Sequence, residues 1–310
     1  MAVCKCDTGI VNSGIPSCVS GFERIVKLFF VYQIASDGSS NAVPCSQTID
    51  ETFLTQKLNE SDPSKRWYPT DKINSVEEVR NTPTTETIDN IDLNVTQGTR
   101  TFQGVFIGKA SSSPQYLKFL KSTECPKVMY FGVDKNGTLV GIETEVGGVA
   151  ALNGIAIQEK SIYSLPIPAT ATTIAKNQLN FIVDELVLDE EIGYISADEI
   201  TADLLNANGL LDVTLVQNTG TAPTSTSVVV DGSLVYGSVC KKLTYNGATT
   251  PANWLVNNIT TPAVITVTTV TENPNGTYTL EFAAQAASDE ITVKVANNGF
   301  ASNVLTIQLP

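Results

Sequence analysis

The chemistry open to this chain is bounded first by a missing residue type. Its 310 residues include no histidine, which removes the commonest general base and the commonest metal ligand together. Ser-His-Asp and Cys-His arrangements therefore cannot be built within it. A P-loop, a G-x-G-x-x-G turn, a G-x-S-x-G elbow and an H-E-x-x-H pair are also missing. Carboxylates are densest over 184–203, where Asp184, Glu185, Asp189, Glu190, Glu191, Asp198, Glu199 and Asp203 fall close together. Two carboxylates can hydrolyse a glycosidic bond, but such a site needs an aromatic-lined cleft, and the only tryptophans are Trp67 and Trp254. Calcium loops require the order D-x-[DN]-x-[DN]-G, which 189–193 does not supply. A solvated acidic face is the expectation here, with no catalytic residue, cofactor or metal.

Four of the six cysteines, Cys4, Cys6, Cys18 and Cys45, crowd the amino-terminal end. Their spacing is C-x-C, then gaps of eleven and twenty-six residues, without the paired knuckles of structural zinc sites. No secretory signal is visible, because the apolar run at 25–35 is short and broken by Lys27 and Gln33. Free thiols in a reducing cytoplasm are expected. No stretch approaches the ~20 apolar residues that span a bilayer, so no membrane partner is expected. The sequons at Asn94, Asn136 and Asn275 read as turn residues. Arg66-Trp67-Tyr68-Pro69 concentrates the side chains that dominate interface hot spots. Contact with a neighbouring subunit and packing onto the chain's own core both explain it.

The elements that must carry these residues are mostly strands. Hydrophobic residues make up 42% and charged ones only 16%, and the abundance of Thr, Ser, Asn and Val suits half-buried sheets. Residues 25–34 read as a buried strand, and GTRTFQGVFIG at 98–108 alternates like another. Ser113-Pro114 opens a short helix with Tyr116, Leu117 and Leu120. Lys135-Asn136-Gly137 turns a hairpin. Ser196-Ala-Asp-Glu199 is a capping box, Ile200 and Leu204 mark one face, and Asn208-Gly209 gives a stop, which predicts a second helix. Residues 59–90 form a long polar loop, a length associated with function or mobility.

The small polar stretch QNTGTAPTSTS at 217–227 reads as a linker. Beyond it, strands at 264–270 and 278–282 flank Asn273-Pro274-Asn275-Gly276, and alternation continues through Ile291, Val293 and Val295 to Leu305, Ile307 and Leu309. Trp254 is the candidate core aromatic. The expected architecture is mainly β. A barrel- or sandwich-type domain with one or two short helices fills 1–216, the linker follows, and an immunoglobulin-like β-sandwich occupies 228–310.

The net charge is −13, concentrated in the first 220 residues. Such a field argues against gripping nucleic acid or anionic lipid, yet suits a surface past which DNA slides.

ITVTTVTENPNGTYTLEFAA and DEITVKVANNGF resemble bacterial Ig-like domains, common appendages of phage virion proteins and adhesins. SKRWYPTDKINSVEEVR, GTRTFQGVFIG and SPQYLKFLKSTECPKVMYFGVDKNGTLVG resemble virion proteins of Bacteroidetes phages. Together the parts look like the major tail tube protein of a long-tailed bacteriophage. That resemblance implies hexameric rings stacked into a DNA-conducting tube, inner-barrel strands contributed by each copy, and an outward Ig-like domain in weak contact with glycans or the cell surface. It implies homo-oligomerisation, other tail proteins as partners and a place in the virion. Asp184, Glu185, Asp189 and Glu190 would then face the lumen. Arg66, Trp67 and Tyr68 would lie on an inter-subunit loop, with 59–90 and the arm at 1–20 reaching the next ring. A capsid-decorating protein and a surface adhesin are the alternatives.

Overall fold

The computed structural model describes residues 23–82, 84–88, 91–96, 98–108, 114–124, 127–238 and 241–310. Cys4, Cys6, Cys18, the arm at 1–20 and the Ser113 cap lie outside these residues. The chain is mainly β, as its composition predicts, and divides into two units, Met1–Gly209 and Leu210–Pro310.

The first unit runs β1 (Ile25–Tyr32), β2 (Val43–Pro44), α1 (Glu51–Asn59), β3 (Tyr68–Pro69), β4 (Ser75–Arg80), β5 (Thr84–Ile88), β6 (Ile91–Thr96) and β7 (Arg100–Ile107). It continues through α2 (Pro114–Ser122), β8 (Val128–Asp134), β9 (Leu139–Val146), β10 (Val149–Asn153), β11 (Ile155–Ala156), β12 (Tyr163–Ile167), β13 (Lys176–Ile182) and β14 (Ile192–Ile195). A large sheet orders its strands β2-β10-β9-β8-β1-β3, with β11 beside β8 and β14 beside β9. A second is ordered β12-β13-β7-β4, and β5 pairs with β6.

β1 reads IVKLFFVY, a run without a polar face, and all of its interior positions are buried. The two-residue pleat of a strand divides its side chains between two cores. Leu28 and Phe30 join Phe102, Phe106, Leu179 and Phe181 of the second sheet, with Leu120 of α2. Phe29 and Val31 face the other way, toward Leu54 of α1 and Trp67. The layers are therefore sheet, core, sheet, core and α1. The predicted hairpin at Asn136-Gly137 joins β8 to β9, and Asp134 fixes it by accepting the Asn136 and Thr138 N–H groups at 2.8 and 2.9 Å. The next hairpin, β9 to β10, turns on Gly147 and Gly148 with φ of +61° and +79°, conformations in which a Cβ would be strained.

Three expectations are corrected in this unit. The helix after Ser196 does not form: Ser196 makes no side-chain cap, and a single 3-10 turn spans Ala197–Glu199. Thr201 and Ala202 instead donate to the Ile49 carbonyl at 3.0 and 3.2 Å, and Ile200 bridges Ile49 in parallel. The Ile200/Leu204 spacing does report burial, since both pack into the α1-side core, but a tertiary bridge satisfies the backbone. Residues 59–90 are not one loop, because they contain β3, β4 and β5. The third correction is α1, which sequence reading overlooked. Its Asp50 N-cap accepts the Phe53 N–H at 2.7 Å, and only Leu54 is fully buried in it.

The second unit contains β15 (Leu211–Gln217), β16 (Ser227–Ser238), β17 (Lys241–Thr244), β18 (Trp254–Asn258), β19 (Ala263–Ile265), β20 (Val267–Asn273), β21 (Thr277–Phe282), β22 (Glu290–Val295), β23 (Phe300–Ser302) and β24 (Leu305–Gln308). One sheet is ordered β20-β21-β16-β15-β23, with β17 beside β16; the other is β19-β18-β22-β24. β15, β16, β17, β20, β21 and β23 thus form one sheet and β18, β19, β22 and β24 the other, a two-sheet β-sandwich. Trp254 is the buried aromatic expected, its indole donating to the Ala248 carbonyl at 2.9 Å. The anticipated strand at 264–270 is split, because β19 and β20 belong to different sheets.

The linker at 217–227 is also corrected. It joins β15 to β16, which pair antiparallel from Val213↔Leu234 to Gln217↔Val230. Val213 and Leu215 bury in the sandwich core. The stretch is a hairpin connection inside the second unit, and the boundary falls between Gly209 and Leu210.

Candidate self-assembly surface

Every step of the sheet β12-β13-β7-β4 is antiparallel, so its edge strands run in opposite directions. Among the described residues neither edge meets a further strand. One face of the sheet carries Phe102, Phe106, Leu179 and Phe181 into the core. Register defines the other. Tyr163, Asn180, Gln103 and Glu77 form one row across the four strands, and Leu165, Gln178, Val105 and Ser75 the next. Gln178 Nε2 donates to Asn180 Oδ1 at 3.1 Å, linking two carboxamides along β13. Tyr163 and Leu165 are 50% and 47% exposed on the open edge β12. Exposed edge strands can template pairing with another chain, though β12 is five residues long with Pro166 in it and β4 reads SVEEVR.

β5 and β6 carry the β4–β7 ladder past the sheet as a two-stranded ribbon. At its root Arg80 and Arg100 are cross-strand partners, an unfavourable placement for like charges. Asp189 relieves it. Arg80 grips both carboxylate oxygens, and Arg100, whose side chain is 8% exposed, donates to Oδ1 at 2.8 Å. Arg100 also reaches the Val187 carbonyl at 3.3 Å. The hydrogen bond from Arg80 holds the Asp189 carboxyl below its ordinary range, and the positive charge of Arg100 adds to this.

The acidic quartet lies on the connection that follows β13. Arg100 shares the pleat face of Phe102, so its partner Asp189 lies on the covered side of the sheet. Asp184 gives its N–H to the Ala156 carbonyl at 3.0 Å and accepts the Leu186 N–H, also at 3.0 Å. Glu185 and Glu190 are exposed on the connection between β13 and β14.

Arg66, Trp67 and Tyr68 separate as well. Trp67 is 1% exposed, with its ring 5.1 Å from Phe131 and 5.4 Å from Phe29. Its indole N–H has no hydrogen-bond partner. Arg66 Nε donates to the Glu60 carbonyl at 2.8 Å, and the Tyr68 hydroxyl to that of Pro63 at 2.8 Å. Self-packing accounts for this segment, and Trp67 is no interface anchor. Cys45 is disulfide-bonded, which corrects the free-thiol expectation at that position.

Among the described residues no three His, Cys, Asp or Glu side chains are grouped to hold a metal ion, and no helix is long and apolar enough to cross a membrane. Sequence reading missed the sheet edges, though the alternation of Tyr163, Leu165 and Ile167 was available as a signal. No protein-family model matches this chain, and no curated protein matches it significantly.

Proposed function

We propose that this chain is a non-catalytic structural subunit that polymerises with copies of itself, as the major tail tube protein of a long-tailed bacteriophage. The observation that carries the proposal is the pair of open, oppositely directed edges on β12-β13-β7-β4. When β12 of one copy meets β4 of the next, the joint is antiparallel. A head-to-tail contact of this kind closes into a ring when the rotation permits. Pairing would also remove both exposed edges.

The ribbon β5–β6 supports stacking of rings. Isolated two-stranded ribbons are marginal in water, so a neighbouring copy is the natural support for this one. It narrows the inter-ring contact expected over 59–90 to its last stretch and β6. DNA would pass through the ring unbound, other tail proteins would cap the stack, and the Ig-like unit would be displayed on the virion. The disulfide at Cys45 is compatible with a virion surface, where such bonds persist.

Negative-stain microscopy and light scattering of the concentrated full chain test the proposal. Hollow rings or tubes are expected. The double variant Tyr163→Lys, Leu165→Lys should abolish them without lowering the melting temperature, because Lys on an edge strand blocks pairing. Compact trimers in the unsubstituted protein would favour capsid decoration instead, and a persistent monomer would sink both.

A further inference from the structure

We propose that Leu186 is a docking knob that seats in the apolar pocket where α2 meets β1, β3 and β8 on a second copy of this chain. This rests on the assembly proposal and adds a side-chain contact to the joining of strand edges.

A single exposed leucine is ordinary on a protein surface, but Leu186 is held out by its backbone. It is 81% exposed, on a turn closed by the Val187 N–H donating to the Asp184 carbonyl at 3.1 Å. Its own N–H donates to Asp184 Oδ1 at 3.0 Å, which tightens the same turn. Both ends of the turn are anchored. The Asp184 N–H donates to the Ala156 carbonyl, and Val187 is buried with Arg100 on its carbonyl. A group fixed in advance loses little freedom on docking.

The receptor is a cavity of about 160 Å³ walled by Phe30, Tyr32, Tyr68, Phe119 and Val128, with the exposed Ser122 also lining it. Space of that order holds one benzene-sized group, so it admits a leucine side chain and little more.

Charge selects the partner. The chain has 19 basic residues against 32 acidic, yet within two positions of the pocket's lining residues that balance is inverted. Arg66, Lys118, Lys121 and Lys127 stand there against Glu124 alone. Lys118, Lys121 and Lys127 are exposed, and Lys127 lies 3.9 Å from Glu159. Glu124 accepts from the Ser164 hydroxyl at 3.3 Å. The knob has the opposite sign. Glu185 is exposed beside Leu186, exposed Glu190 and Glu191 follow, and no Lys or Arg occurs between Lys176 and Lys241. Complementary charge around an apolar plug and its socket steers the two together and fixes their register. Glu185 is thereby assigned to a joint between copies, in place of the lumen expected of it.

The test follows the concentration at which the full chain begins to assemble, read by light scattering. Leu186→Ser should raise it about tenfold, because a buried leucine contact is lost. The melting temperature of the free subunit should not fall, since Leu186 is exposed there. Glu185→Lys and Lys121→Glu should each raise the threshold about threefold at low salt, with the effect fading at high salt. Glu185→Lys and Lys121→Glu combined in one chain should restore the unsubstituted threshold, because the exchanged charges meet across the joint. Damage to the subunit's own fold would not produce that rescue. Additive damage in the combined variant, or single charge variants without effect, would overturn the contact while leaving the tube intact. So would Leu186→Ser assembling at the unsubstituted threshold, the result expected if the pocket serves a small apolar solute or another protein. An unsubstituted chain that stays monomeric would instead overturn the assembly proposal, and this contact with it.

Discussion

Asp189 serves two arginines, one of them buried. Asp189→Asn keeps the shape but leaves Arg100 facing a neutral group. Because the Asp189 side chain is 39% exposed, solvent screening holds the cost to about 1 kcal/mol. Its pH dependence has a definite sign. The folded carboxyl is depressed, so its stabilisation is complete above the ordinary aspartate range and is lost as pH falls through the folded value. Denaturant titrations from neutral to strongly acid pH should show the gap between wild type and Asp189→Asn closing. A constant gap would refute the assignment. Lys27 behaves oppositely. Burial lowers it to about 8 despite Asp71 and Asp203, which act to raise it. Its Nζ donates to the Leu205 and Ala207 carbonyls at 3.1 and 2.5 Å. Above about pH 8 the unfolded chain keeps a proton that the folded chain releases, so this contribution to stability rises with pH until the ordinary lysine value is reached. Melting curves of Lys27→Met should lack that rise. At this scale the sequence made the poverty of catalytic groups plain. It could not make the burial of Trp67 plain, because Phe29, Phe53 and Phe131 reach that ring from distant strands and a helix.

Elements were legible where one local signal matched the tertiary environment. β1 announced itself by an apolar run interrupted only by Lys27, β7 by strict alternation, α2 by its first-turn proline and the β8–β9 hairpin by Asn-Gly. α1 displayed only the short stripe Phe53, Leu54 and Leu58, and its clearest mark was the Asp50 cap. Asp50→Ala should cost about 1 kcal/mol, read as a lower denaturation midpoint with unchanged slope; no loss would mean that packing of Leu54 alone holds the helix. The Ser196 capping box fails for a related reason. A cap lowers the energy of a helix end but cannot compete with a long-range bridge to Ile49 that buries Ile200 and Leu204 at the same time.

For the whole molecule, two domains and a β-sandwich at the carboxyl end followed from texture and turn spacing, but their boundary did not. QNTGTAPTSTS looks like a linker because hairpin connections and linkers draw on the same residues. The distinguishing sign was upstream, in the alternation of Leu211, Val213 and Leu215. Residues 210–310 should therefore melt cooperatively as an isolated fragment, whereas 228–310 lacks β15 and with it the buried Val213 and Leu215. The shorter fragment should melt at a markedly lower temperature, or not fold at all. Equal melting of the two would return the boundary to the loop.

The parity of the second sheet carries a consequence for how this molecule could vary. Four alternating strands leave opposite directions at the two ends; three or five would leave the same direction at both, and a head-to-tail joint would become parallel. If copies join edge to edge as proposed, lineages that keep an antiparallel seam can lengthen or shorten this sheet only by whole hairpins. Insertions of a single strand should be confined to the larger sheet, where no such arithmetic applies.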